Sequence, residues 1–392
     1  MNTQNTPVHP RLWHREFWLL AFADLLLTMS VYLFIPVLPA DLSALGFTRE
    51  QTAVVMGAYG LGIFALGPFC NWLIQRYRRN HLFQVTVLAM ALVVFLTMKI
   101  DVLPIPDSFV FPAFVGLRFL FGAFFGLAQM VLASTLIIDV CESFQRTEAN
   151  HSAGWFARFA FSLGPMLALV LHPLQRPVDH IVYWVSLGLM LLSILLIVVV
   201  KFPFKTPEED IKLVSFDRFF LPEGWALFLN VFILMLAVGM VLALPLSSRF
   251  FAIMMLGFFL ALLAEQFAFA NAEIESQIIT GLILVLMAWL VMLFRAKAGV
   301  YIAPTLLGMG VGLVGSRFLL FFVKLSRHCK RGTSQSTFFA AWESGIGIGL
   351  FAGWLMNDDR QRVLTICIIV ACASLAFYHF FVHPWFIRHK NR

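Results

Sequence analysis

The chain has 392 residues, of which 60% are hydrophobic and only 12% charged, with a formal net charge of +7 and a mean hydropathy of +0.87. Ordinary water-soluble domains do not have this composition, so most of the surface must be covered by lipid. The Lys and Arg residues sit in the breaks between apolar runs and form no basic face, which excludes a nucleic-acid partner and makes the charge a topology signal.

A polar lead through His14, Arg15 and Glu16 ends in no small-residue cleavage site, so the first apolar run is expected to be a retained span. A bilayer core about 30 Å thick takes roughly 20 apolar residues of helix. Runs of that kind fall at Phe17–Pro39, Ala53–Ile74, Leu82–Met98, Phe109–Ile138, Ser152–Leu171 and Ile181–Val200. A second set follows at Trp225–Leu244, Phe250–Phe269, Ile278–Phe294, Tyr301–Leu325, Thr337–Met356 and Val363–Val382. Glu265 and Gln266 interrupt the eighth run. The expectation is an all-α polytopic membrane protein: a six-helix bundle in residues 1–200, a linker at 201–223 and a second six-helix bundle in 224–392. The linker contains Thr206-Pro207-Glu208-Glu209-Asp210, and its amphipathic pattern over Ile211–Phe220 predicts a short helix lying at the membrane surface.

Lys and Arg are roughly twice as frequent in the breaks on the side of the two termini as in the opposite breaks, which places both termini in the cytoplasm. The five cysteines, Cys70, Cys141, Cys329, Cys367 and Cys372, lack metal-ligand spacing and are expected to be reduced packing residues. No His, Cys or carboxylate cluster has metal spacing, and no Gly-Lys-Ser/Thr phosphate loop is present. Neither an enzyme, nor a metal site, nor a cofactor is therefore expected.

The two sets of runs resemble one another, as expected of a duplicated bundle. Glu16-x-Trp18, Asp24 and Pro39 are matched by Glu223-x-Trp225, Asn230 and Pro245, within one residue of slip. Gly122-x3-Gly126 is matched by Gly308-x3-Gly312. Arg146, Arg158 and Gly164 are matched at one constant offset by Arg331, Glu343 and Gly349.

Several segments carry a family likeness. Asn71-Trp72-Leu73-Ile74-Gln75-Arg76-Tyr77-Arg78-Arg79-Asn80 resembles the G-x-L-x-D-R-x-G-R-[RK] loop of the major facilitator superfamily, with Gln75 where the family has an acid. Asn71, Arg78 and Asn80 depart from it as well. Arg118-x3-Gly122-x3-Gly126 resembles that family's fourth-span element, and Ser162-Leu163-Gly164-Pro165 its fifth-span Gly-Pro element. Arg331 to Thr337, continuing through Glu343 to Gly349, is similar to the eleventh span of efflux-type members. The resemblance covers the whole chain. It implies two six-helix bundles, a conformational loop at Arg76, Arg78 and Arg79, and alternating access to a small-molecule site, with protons as the coupling ion and the lipid bilayer as the surroundings. A monomer in a bacterial inner (plasma) membrane is expected, with export as the direction. A proton-coupled importer of a sugar, peptide or organic anion stands as the alternative, and a transport-inactive sensor or scaffold as the reading of another class.

Charges inside a span are costly unless paired or hydrated, so they mark a pathway or a structural pair. Asp24, Arg158, Arg317 and Glu343 are the proton-coupling candidates, and the resemblance predicts the pairs Asp24–Arg158 and Arg317–Glu343. Each pair has two readings, a carboxylate tuned to exchange a proton or a static bridge that locks packing. Asp24, Thr28 and Tyr32 share one helical face expected to line the cavity. Arg118 and Gln129 form a second candidate lining, where a guanidinium would suit a carboxylate or phosphate, or would only satisfy backbone carbonyls. Asn230 is a further cavity candidate that could equally bond across helices. Trp155 and Trp342 are possible cavity walls, and His151 is expected to be structural or interfacial. The glycines at Gly57, Gly60, Gly62 and Gly67, and at Gly345, Gly347 and Gly349, suit helices that slide or simply pack closely.

Overall fold

The computed structural model describes residues 11–100, 102, 104, 106–174, 180–202, 211–294, 297–327 and 330–390. Among them twelve helices are long and apolar enough to cross a membrane. They are α1 (Arg15–Ala44), α2 (Arg49–Arg76), α3 (Arg79–Met98), α4 (Asp107–Asp139), α5 (Arg146–Leu171), α6 (Ile181–Val199), α7 (Pro222–Leu242), α8 (Ser248–Ala268), α9 (Ile274–Phe294), α10 (Gly299–Leu325), α11 (Arg331–Leu355) and α12 (Arg360–His389). Most of the helices run beyond the apolar stretches because polar residues serve as their first and last turns. Thr48 and Gln51 close a capping box at the start of α2, and Asp359 accepts from Gln361 N and Arg362 N at the start of α12. Rows such as Val85, Leu88 and Leu92 on α3, and Leu191, Leu195 and Val198 on α6, face outward, where only lipid suits them.

The same five helix pairs recur in each set of six. In the first set α1 packs on α5 and α6, α2 on α4, and α3 on α4 and α6; in the second, α7 packs on α11 and α12, α8 on α10, and α9 on α10 and α12. The glycines show why. A Cβ on Gly62 would strike the carbonyl oxygen of Phe119, and one on Gly122 that of Tyr59. In the other set a Cβ on Gly257 would strike the oxygen of Thr305, and one on Gly308 that of Met254. The two contacts superpose at one offset per helix, so Gly122 and Gly308 do the same work: they let backbones touch where lipid offers no hydrophobic drive.

Two seams join the sets, α2 against α11 and α5 against α8. Midway along the first, a Cβ on Gly60 would lie 3.0 Å from the Cα of Gly347. At the end opposite the termini Arg49 and Asp358 form an exposed ion pair at 2.9 Å, and the guanidinium holds the Asp358 carboxyl below its ordinary range. Such a pair contributes little in water.

The segment between the sets is not the surface helix its pattern suggests. Residues 211–220 form turns, with Arg218 at φ 60°, and residues 203–210, including Thr206 to Asp210, lie outside the described residues. Competing hydrogen bonds explain the difference. Helix α2 breaks at 63–66, and Ser215 N donates to Pro68 O at 3.0 Å beyond the break. Arg218 NH1 donates to Ser134 O at 3.0 Å, Arg218 N to Thr333 Oγ1 at 3.0 Å and Leu221 N to Thr337 Oγ1 at 2.8 Å. Backbone donors spent on both bundles cannot serve a helix of their own. The strap thereby ties α4 to α11 on the face that carries the termini.

Cys70, Cys141 and Cys367 are buried and Cys372 is exposed, all as free thiols; Cys329 lies outside the described residues.

Candidate functional site

The seam between α2 and α11 holds a carboxylate in its middle. Glu343 on α11 is 2% exposed. Tyr32 of α1 donates to its Oε1 at 2.5 Å and Tyr59 of α2 to its Oε2 at 2.6 Å. No Lys or Arg among the described residues reaches it, so Arg317 is not its partner. The small residues around it explain how an acid comes to lie there: Gly345 and Gly349 seat α11 on α7 of its own set, and Gly347 seats it on Gly60 of the other. One donor per oxygen is the arrangement that suits an ionised carboxylate. Protonation removes the negative charge to which both tyrosines donate and so weakens the two bonds between the sets.

Asp24 lies on the same face of α1 as Tyr32, as the spacing predicts. Its partners are Gln129 Nε2 of α4, at 2.7 Å, and Thr28 Oγ1, at 3.3 Å, and Gln129 also donates to Thr28 at 2.8 Å. It does not meet Arg158. Gln129 of α4 holds Asp24 within the first bundle, whereas Arg158 on α5 turns toward Gly315 of α10 in the second. Neither Asp24 nor Glu343 forms an ion pair with a Lys or Arg among the described residues.

A second cluster occupies the α5–α8 seam toward the face of the termini. Arg317 Nε of α10 lies 3.1 Å from Glu265 Oε1, and Ser316 donates to that same oxygen. His151 Nε2 of α5 sits 2.7 Å from Ser316 Oγ and 3.4 Å from Glu265 Oε2. Arg158 interacts electrostatically with both Glu265 and Arg317. The predicted partner of Arg317 was Glu343; α10 instead packs on α8, and Glu265 is the acid that α8 presents. Glu265 and Tyr59 were not singled out as site residues. Glu265 had a signal, the interruption of an apolar run, and it lies in a π-helical segment, Ala264–Ala268, an irregularity frequent at functional sites. Tyr59, set between Gly57 and Gly60, had none.

The remaining candidates disperse. Arg118 is buried with its guanidinium 5.0 Å from the ring centres of Tyr59 and Phe121, beside a small cavity of about 20 Å³ shared with Tyr183 and Phe34. It backs Tyr59 from within the first bundle, and Gln129 does not line the cavity beside it. Asn230 donates to Ser374 O of α12 at 2.9 Å, inside the second bundle. Asn230→Val is expected to lower thermal stability by about 0.6 kcal/mol, the usual size of such a bond between membrane helices, with the transport rate unchanged; melting and flux measurements on one preparation check it. In the loop after α2, Arg76 stacks on Trp72 at 5.5 Å and Arg79 NH1 pairs with Asp139 at 2.5 Å. The carboxylate missing at Gln75 is thus supplied to this loop from the end of α4.

Trp342 and Phe161 lie between the two clusters, with ring centres 6.3 Å apart, and Phe161 packs on Tyr32 at 5.1 Å.

The family model described as Major Facilitator Superfamily matches residues 20–350. No curated protein matches the chain by sequence. Among solved structures, the human organic anion transporter MFSD10 aligns with a TM-score of 0.66 at 16% identity, over 92% of this chain and 98% of its own. A bacterial homologue of the iron transporter ferroportin, in an outward-facing state, aligns with a TM-score of 0.68 at 15% identity, over 95% and 99%. The E. coli fucose:proton symporter FucP aligns with a TM-score of 0.63 at 16% identity, over 93% and 98%. At these identities the likeness is one of fold.

Proposed function

The chain belongs to the Major Facilitator Superfamily and moves a small molecule across a membrane; from that premise we propose that it works by alternating access, with proton binding at Glu343 as the coupling step. The observation that carries this reading is a buried carboxylate with no Lys or Arg partner among the described residues, held by two hydroxyls of the other bundle. An ionisable group in such a place is costly to keep and marks a functional site by default. Ionised Glu343 ties α11 to α1 and α2; protonated Glu343 loosens the tie and lets the bundles rock about the two seams. Asp24, with Thr28 and Gln129, is the second acid on the proton path. Arg118 positions Tyr59, and Arg317 with Glu265 and His151 locks the opposite seam. Arg76, Arg78 and Arg79 belong to the loop that moves with the rocking.

The bundles in this reading are residues 1–200 and 224–392, each moving as one body. The excess of Lys and Arg on the face of the termini supports cytoplasmic termini in a bacterial inner membrane, and the eleventh-span resemblance supports export. The neighbour named as a fucose:proton symporter supports proton coupling with substrate moving in the proton's direction as the second reading.

Proteoliposomes loaded with a pH dye test the coupling. Compounds that stabilise the purified protein are added one at a time, and transport of each is expected to drive a proton flux, opposite to the compound for export and in its direction for the second reading. Transport of such compounds with no accompanying proton flux rules the proposal out.

A further inference from the structure

The polar groups at the seams separate by sign. Asp24 and Glu343 lie on one side, and Arg158 and Arg317 on the other with one carboxylate among the described residues, Glu265, between them. Glu265 is already committed to Arg317, His151 and Ser316. Arg158 is left over. It is 3% exposed, and its Nε and NH1 have no acceptor. Its guanidinium carbon lies 4.9 Å from the ring centre of Trp155, a contact that suits a cation but offers no lone pair. The indole Nε1 of Trp155 also lacks an acceptor. Three buried donors therefore stand together on one turn of α5 with nothing to accept from them.

A guanidinium does not shed its proton in a protein. Burying it without a counter-charge is strongly unfavourable, and buried donors are rarely left unmade. The fold makes room for this arrangement: a Cβ on Gly315 would lie 2.8 Å from Arg158 Nε and 2.7 Å from Trp342 Cζ3. The walls beyond are rings, Trp342 and Phe161.

We propose that Arg158 and the Trp155 indole N–H bind the anionic group of the transported substrate, an organic carboxylate or phosphate whose apolar body lies against Trp342 and Phe161. This rests on the reading that substrate enters between the bundles, but not on proton coupling. The guanidinium fork fits two oxygens of a carboxylate or phosphate, and the anion supplies the charge that the cluster lacks. Arg118, placed behind Tyr59 within the first bundle, does not share this role.

The test is a thermal-shift screen of the full chain, purified in detergent, against naphthoate, naphthyl phosphate, naphthylmethanol and naphthylmethylamine at matched concentrations, with inorganic phosphate alone as a fifth arm. The two organic anions are expected to raise the melting temperature, and the alcohol, the amine and inorganic phosphate are not. Arg158→Met is expected to melt higher than the unmodified protein when no ligand is present, because the uncompensated charge is gone, and to lose the rise with anions. Arg158→Lys keeps the charge without the fork and is expected to bind naphthoate about tenfold more weakly or worse. The screen reads binding with no pH gradient present, so failure of coupling at Glu343 and failure of anion binding are read separately, and Asn230→Val, inside the second bundle, is expected to keep the full anion-dependent rise. No rise with either organic anion, an equal rise with the amine or with inorganic phosphate, an undiminished rise in Arg158→Met, or a lower ligand-free melting temperature in that variant overturns the proposal.

Discussion

Glu343→Gln is expected to abolish accumulation of substrate driven by a pH gradient while leaving exchange of substrate for substrate intact. Glutamine keeps the volume and can accept from one tyrosine through its oxygen. Its amide nitrogen is a donor, however, and cannot accept the hydrogen that the other tyrosine now gives to Glu343. The variant therefore resembles the protonated state at all pH values. Exchange needs only rocking with substrate bound, whereas uphill movement needs the carboxylate to alternate between forms. Linkage of this kind usually amounts to about 5- to 150-fold in affinity. The accumulation ratio is therefore expected to fall to the passive value and the pH dependence of substrate affinity to flatten. Proteoliposome uptake with and without a pH gradient measures the first, and binding at two pH values the second. Uphill uptake at the unmodified rate would remove Glu343 from the coupling mechanism. Tyr59→Phe and Tyr32→Phe each remove one of the two donors, and each should give part of the same effect.

The second large effect is expected from the glycines of α11, which divide by face. Gly345 and Gly349 meet Phe232, Met235 and Leu236 of α7, within one bundle. Gly347 faces the other bundle: a Cβ there would fall 2.5 Å from the Cα of Gly60 and 2.6 Å from its nitrogen. Backbone cannot yield at that distance. Gly347→Val is thus expected to leave each bundle folded but to prevent the α2–α11 seam from closing. Overpacking of this kind costs about 1–3 kcal/mol, enough to shift an even balance of conformations by about 5- to 150-fold. Transport should stop while the protein still elutes as a single folded species. Gly349→Val places the same volume inside a bundle and is expected to lower the yield of folded protein instead. Chromatography and flux on the two variants separate these outcomes, and wild-type transport by Gly347→Val would show that the seam does not need to close.

How far the sequence foretold these sites depends on which residue is considered. Glu343 and Asp24 stood out because an acid in an apolar run is rare and costly, and both lie in the buried clusters. The partners assigned to them were wrong. A span says that a charge is present, but each residue turns the helix by about a hundred degrees, and no apolar pattern fixes the rotation when every face of the helix is greasy. Arg158 points to α10 and not to α1, and Arg317 to Glu265 and not to Glu343, for that reason. Tyr59 could not be found at all, because a tyrosine between glycines in an apolar helix has the same appearance whether it faces lipid, core or carboxylate. The strap at residues 211–220 misled in another way: its alternating pattern is that of a surface helix, yet its donors are claimed by Pro68, Ser134, Thr333 and Thr337.

By itself the sequence determined the number of spans, their near limits and the internal duplication. A bilayer allows few alternatives to helices of fixed length, and glycines repeated at constant offsets record the same backbone contacts twice. Which charges meet, which glycines face the other bundle and which guanidinium is left without a partner were decided only by tertiary structure. Those facts depend on helix rotation and on contacts between residues hundreds of positions apart, such as Tyr32 with Glu343, and neither is written in local composition.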